Sequence, residues 1–220
     1  MSIETGVLLS GAESVKNGKH QVWQGAVRVS NNKTVKAFIK RCAPRELAVE
    51  VIATVIGRSL GLPLPFPLLV RVMPGRLRTA ELDRPETFFG SQSQREPDLT
   101  QFINKASDEE MIIRRLKSWP HAAFAGCFDE WIANEDRNLQ NLLYDGGKNF
   151  TLIDHGLSFP AGMAPNTPTA KNLLLDVSVN RPDLSAKDKV AQKALGFIKQ
   201  CEDMSIDEIL TSVAKTVKDE

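Results

Sequence analysis

Three cysteines, Cys42, Cys127 and Cys201, are too few and too scattered for a disulfide frame or a zinc site. Their odd number and lack of pair spacing read as free thiols in a reducing compartment. Histidine is equally sparse. His20, His121 and His155 stand far apart, which argues against a histidine-based metal centre. No apolar stretch approaches the roughly 18–20 residues of a transmembrane helix. The start, Met1-Ser2-Ile3-Glu4-Thr5, lacks the basic and apolar regions of a signal peptide. Charge of one sign is missing too: 28 Lys and Arg against 27 Asp and Glu leave a formal net charge of +1. Neither a nucleic-acid coat nor an acidic tail is therefore indicated, and neither nucleic acid nor membrane is expected as a partner. The cytoplasm is the expected location. There is no internal repeat and no low-complexity segment.

What is present suits an ordinary folded protein. Hydrophobic residues make up 42% and charged residues 25%, and 220 residues allow one domain or two small lobes with a sizeable core. The informative stretch is residues 128–156. Asp136 is followed five positions later by Asn141, and Asp154 closes the stretch. Between the last two lie the apolar run Leu142 to Tyr144, the turn Asp145-Gly146-Gly147-Lys148 and the apolar run Phe150 to Ile153. This pattern predicts a tight β-hairpin. With Tyr144 facing Phe150, the register places Asn141 opposite Ile153, next to Asp154. Directly opposed Cβ atoms lie roughly 4.5–5.5 Å apart, so an amide oxygen and a carboxylate can converge on one small cation. Mg²⁺ takes such hard oxygen ligands, usually one or two carboxylates plus substrate phosphates. Asp136, on the loop before the hairpin, is placed to take the proton of an attacking hydroxyl. A base, a metal-binding Asn and a metal-binding Asp in this order are the parts of an ATP-dependent phosphotransferase.

Upstream, residues 6–40 read as three strands: Val7–Leu9 and onward, Gln21–Ser30, and Thr34–Lys40. Turns at Lys16-Asn17-Gly18-Lys19 and Asn31-Asn32-Lys33 separate them. Gly11, Ser14 and Gly18 are candidates for a cover over nucleotide phosphates, although no complete Gly-x-Gly-x-x-Gly is present and an ordinary hairpin is the competing reading. Alternation puts Val35, Ala37 and Ile39 on one face and Lys36, Phe38 and Lys40 on the other. Lys40, ending an apolar strand before a helix, is the candidate phosphate-anchoring ammonium, with Lys36 as competitor. The next helix begins at Pro44, which suits a first turn, and stops at Gly61 before Pro63. Glu46 and Glu50 share one face of it. Leu68–Val72 reads as a strand, and Met73 to Gly75 and Glu86 to Gln92 as polar, irregular chain. Short helical pieces follow at Leu99–Lys105, Ser107–Trp119 and Ala122–Ala133. Phe159–Lys171 reads as a loop, and Ser185 and Ser205 start the last two helices.

Asp136-Arg137-Asn138-x-x-Asn141 followed by Ile153-Asp154-His155-Gly156 resembles the catalytic and metal loops of the HipA-like kinases. More distantly it is similar to the phosphoinositide and aminoglycoside kinases. The resemblance covers about residues 35–160. It implies an α+β, two-lobed, protein-kinase-like fold: a small antiparallel β-sheet lobe with one main helix over 1–92, and a mostly helical lobe over 93–220. It also implies ATP and Mg²⁺ as cofactors, Asp136 as base, Asn141 and Asp154 as metal ligands, and Lys40 on the phosphates. The family's acid some three turns before the helix stop selects Glu50 as the partner of Lys40; a helix-end surface contact suits Glu46. Asp129 falls where the family often has an acid and reads as an anchor of the catalytic loop. The resemblance further implies a protein Ser or Thr acceptor, such as a translation factor, and a toxin held by an antitoxin. A small-molecule or lipid kinase and an inactive nucleotide-binding module are the rival readings. Two departures stand out: Asn138 occupies a position where related loops commonly carry His, and the chain is shorter than full-length HipA toxins.

Overall fold

A computed structural model describes residues 3–9, 11–15, 21–94, 103, 106–162, 171–179 and 184–218. Gly18 of the candidate phosphate cover and the piece expected at Leu99–Lys105 (apart from residue 103) lie outside these. The chain divides into two compact units. One comprises Met1–Val55, Pro65–Arg95 and Asp207–Glu220, the other Ile56–Leu64 and Glu96–Ile206. Among the described residues no helix is long and apolar enough to cross a membrane.

The first unit is built on strands β1 (Glu4–Leu8), β2 (Glu13–Val15), β3 (Val22–Val29), β4 (Thr34–Lys40), β5 (Pro67–Val72) and β6 (Glu86–Gln92). Their order is β1-β5-β6-β4-β3-β2, with β1 also paired to β3. This extra pairing closes β1, β5, β6, β4 and β3 into a five-stranded barrel. The expected small antiparallel sheet is corrected on two counts: the sheet is closed, and β1 runs parallel to β5. Pairing between strands so distant in sequence carries no local turn signal, so nothing in the chain's punctuation announces it. Residues 86–92, read as irregular, are a full strand between β5 and β4. Phe88, Phe89 and Gly90 are all buried in succession, so both faces of β6 are covered and the period-two alternation of a half-exposed strand never appears. The short β2 is a fourth element where three strands were expected over residues 6–40.

Alternation elsewhere follows the sequence. In β4, Ala37 and Ile39 are buried and Val35 packs against the core, while Lys36 on the other face is exposed. Inside the barrel Trp23 packs on Phe88, ring centroids 5.8 Å apart, and its indole N–H donates to Thr79 Oγ1 at 2.8 Å. That bond answers the polar requirement of a fully buried indole. Helix α1 (Pro44–Ser59) ends as its Gly61-x-Pro63 signal predicts. Gly61 takes φ +75°, its N–H bonds Arg58 O, and Leu62 N–H bonds Gly57 O, the two bonds of a Schellman stop.

The second unit is helical around one hairpin. Helices α2 (Ala106–Ser118), α3 (Ala122–Trp131), α4 (Leu173–Val179) and α5 (Leu184–Asp203) accompany β7 (Leu142–Tyr144) and β8 (Phe150–Leu152). The last helix, α6, spans Ile206–Lys218. Helix α4 was not anticipated. It approaches α3 where Gly126 leaves room, since a Cβ there would sit 2.9 Å from Leu175 N. The rings of Phe124 and Trp131 on α3 meet Phe197 of α5 edge-on at 5.0 and 5.9 Å.

A barrel this tightly closed tolerates little added volume at β6. A Cβ on Gly90 would lie 2.6 Å from Val70 Cγ2 and 3.1 Å from Leu68 Cβ. Gly90→Ala is expected to destabilise the protein by about 1–3 kcal/mol, measured as a shift in the urea midpoint. An unchanged midpoint would show that β5 and β6 separate more easily than their packing indicates.

Candidate active site

The hairpin forms in the register its sequence predicts. Tyr144 pairs with Phe150, Leu143 with Thr151 and Leu142 with Leu152, and Ile153 N–H donates to Asn141 O at 3.2 Å. The turn is locked by its own first residue. Asp145 Oδ1 accepts from Gly147 N at 2.7 Å and Asn149 N at 3.1 Å, and Oδ2 accepts from Asn149 Nδ2 at 2.6 Å. Desolvation alone would raise the Asp145 carboxyl; hydrogen bonds from Gly147, Asn149 and Lys148 outweigh it and hold the group below its ordinary range. Gly146 supplies the left-handed backbone, φ +77°. Tyr144 stacks on Phe150 at 4.8 Å, and Trp119 meets the same ring edge-on.

Asn141 is therefore placed at the mouth of β7, and Asp154 follows β8 by two residues. The 3-10 turn Leu139–Asn141 delivers Asn141 into the strand. Asn141 is buried, and its Nδ2 donates to Asp136 O at 2.6 Å and to Asp136 Oδ2 at 3.2 Å. Both protons of the amide thus point at Asp136, while its oxygen accepts no hydrogen bond from any described residue. Asp154 is exposed and holds φ +57°, a left-handed backbone that Asp adopts more readily than most residues. One amide oxygen and one carboxylate suit Mg²⁺, which keeps most of its shell as water and phosphate oxygens. Among the described residues no three His, Cys, Asp or Glu side chains gather into a closed metal cage. The donor set fits a metal that completes its shell with water and phosphate oxygens.

The residue that sequence reasoning passed over is Arg137. Its place beside Asp136 in the motif gives it no role of its own. In the structure it is buried, and its partner is Asp129 at the end of α3, also fully buried. Arg137 Nε donates to Asp129 Oδ2 at 2.7 Å and Nη2 to Oδ1 at 3.1 Å. Nη1 donates to Asn141 O at 2.5 Å and Ile153 O at 3.0 Å, and Nη2 lies 2.8 Å from His155 Nε2. Because guanidinium only donates, His155 Nε2 is the unprotonated nitrogen. Asp129 also accepts from Asn134 Nδ2 at 2.8 Å. One guanidinium thus ties α3, the loop of Asp136, both hairpin strands and the turn after Asp154. The Arg137 carbonyl accepts from Leu173 N at 3.2 Å, which adds α4. An acidic residue two turns before an Asp-Arg pair is the only signal in the sequence that could have revealed this.

In the other unit, Lys40 Nζ lies 3.1 Å from Glu50 Oε1 and 2.7 Å from Glu46 Oε1. Glu50 is buried, and Glu46, read as a surface contact, joins it on the same ammonium. Gly11, with φ +89°, and Ser14 are exposed and border a cavity of about 250 Å³ that also touches Ala12, Glu13, Arg78 and Thr79.

A buried pair broken on one side leaves an uncompensated charge. Arg137→Met is expected to lose about 3–5 kcal/mol of stability, and Asp129→Asn a comparable amount. Because the two act as one pair, the double variant should lose far less than the sum of the singles in urea unfolding. Simple additivity would show that the pair is not coupled.

The description "HipA-like kinase" matches residues 12–209 of this chain. Among solved structures, the Helicobacter pylori proinflammatory kinase CtkA is similar at 15% identity, over 88% of this chain and 65% of that one, with a TM-score of 0.39. This chain therefore spans less than two thirds of that protein's length. No curated protein matches it. With the family match running from just after β1 into the last helix, the chain belongs to the HipA-like kinase family.

Proposed function

We propose that this protein is an ATP- and Mg²⁺-dependent kinase with a two-lobed, protein-kinase-like division of labour, phosphorylating Ser or Thr of a protein. The observation that carries the reading is the loop Asp136–Asn141. There Asn141 turns both amide protons toward Asp136 and leaves its oxygen for a cation, beside a hairpin that ends in Asp154. Asp136 accepts the acceptor hydroxyl's proton. As the acceptor oxygen bonds the γ-phosphorus, the bond to the ADP oxygen breaks and ADP leaves with that electron pair. Lys40, oriented by Glu50, neutralises phosphate charge. Asn141 and Asp154 would hold Mg²⁺, which when bound neutralises the phosphate oxygens. Such catalysis is mostly positioning and charge compensation.

Family membership supports the further parts of this reading. The protein acts in the cytoplasm as the toxin of a toxin–antitoxin pair, its acceptor a protein such as a translation factor and its regulator an antitoxin. Gly11, Ser14 and Gly18 cover the nucleotide phosphates.

Purified protein incubated with Mg²⁺ and γ-labelled ATP, with and without bacterial lysate, is expected to label itself or a lysate protein. Asp136→Asn should lower the rate at least about a hundredfold, within the range typical of acid–base residues, and Asp154→Asn, which removes the charged metal ligand, should lower it comparably. Asn suits position 154 because it tolerates positive φ. Transfer only to small molecules would replace the protein acceptor by a metabolite. Mg²⁺-ATP binding without any transfer would point to a binding module, and no binding at all would end the kinase reading.

A further inference from the structure

Between Asp136 and Asn141 the chain carries a second amide, Asn138, to which the mechanism above gives no task. Its side chain is bonded at both ends. Nδ2 donates to Asp136 Oδ1 at 2.9 Å and to the Asp136 carbonyl at 3.2 Å. Oδ1 accepts from Gln140 N at 2.8 Å and so caps the 3-10 turn Leu139–Asn141. The Asn138 carbonyl accepts from Asn141 N at 3.2 Å. The turn that presents Asn141 therefore also orients the Asn138 amide, whose O and N ends are set by what each one meets.

The Asp136 carboxylate receives one amide proton on each oxygen, from Asn138 on Oδ1 and from Asn141 on Oδ2 at 3.2 Å. The Asn138 bond is the shorter. The Asn141 amide makes its own short bond, 2.6 Å, to the Asp136 carbonyl instead. Rotation of the carboxylate is thus restrained chiefly by Asn138. A carboxylate has about four lone-pair sites, so each oxygen retains capacity for a further partner such as an acceptor hydroxyl. An amide also carries no titratable proton, so the clamp has the same form wherever the carboxylate is ionised.

We propose that Asn138 is a positioning residue for phosphoryl transfer, holding the Asp136 carboxylate in the orientation that receives the acceptor's proton. The proposal rests on the kinase reading above. Orientation set before the substrate arrives lowers the entropic part of the barrier to the chemical step, and small misplacements of a reacting group are costly.

Two variants separate this role from a structural one. Asn138→Ser keeps a side-chain acceptor for Gln140 N, as Ser caps well, but removes the donor to Asp136. Asn138→Asp keeps shape and cap but sets a like charge beside Asp136. With γ-labelled Mg²⁺-ATP and total bacterial protein as acceptor, both are expected to lower kcat about ten- to a hundredfold. KM for ATP and the melting temperature should stay near those of the wild type. In an Asp136→Asn background, Asn138→Ser should add no further loss, because the group it orients has lost its function. Wild-type kcat in Asn138→Ser, a full additional loss in the Asp136→Asn background, or unfolding of both variants would overturn the proposal while leaving the kinase reading intact. Absence of transfer by the wild type would instead remove the kinase reading, and the proposal with it.

Discussion

The buried guanidinium of Arg137 is the constraint on which the helical unit depends. Two charges withdrawn from water are costly, and their mutual attraction offsets that only when geometry is good and the remaining donors are used. Here the fork meets Asp129 with two nitrogens, and the rest of its donors go to the carbonyls of Asn141 and Ile153, which flank the hairpin, and to a histidine ring. Those acceptors come from the end of α3, the entry to the hairpin and the chain just after it. The helix end, the loop and the hairpin must therefore arrive together for any of them to be satisfied. Asp136 is adjacent in sequence to this anchor yet only half-buried, so the loop is rigid at one residue and accessible at the next.

Amides share out the work around Asp136. Asn134, Asn138 and Asn141 each contact that residue: Asn134 Oδ1 accepts its N–H at 3.3 Å, and the other two donate to it. A neutral donor can steady a carboxylate without cancelling its charge, which a lysine or arginine in the same place would do. In the barrel unit the logic is inverted. There a single ammonium is shared by two carboxylates on one helix face.

Much of this was legible in the sequence, and what was not has a physical reason. The hairpin and its register follow from a strict local pattern, apolar runs flanking Asp-Gly-Gly, and the structure reproduces it pair by pair. The alternation of β4 and the stop of α1 at Gly61 are equally local. The barrel's closure depends on β1 meeting both β3 and β5, an interaction between distant segments that leaves no periodic trace. Strand β6 escaped notice because Phe88 and Phe89 are both buried, which erases alternation. Arg137 went without a role for a related reason. Its partner Asp129 lies on the preceding helix, so the pair is not local, although Asp129 itself was read as an anchor of the loop.

The closed sheet has a consequence for the protein's behaviour at high concentration. An open strand edge is a template for another chain, and natural sheets guard such edges by charge, brevity or closure. In the six-stranded sheet, β1, β3, β4, β5 and β6 each have neighbours on both sides. The strand left with one neighbour is β2, three residues long and carrying Glu13. The described barrel thus offers other copies almost no backbone to pair with, and self-association through this sheet is discouraged by its topology rather than by surface charge.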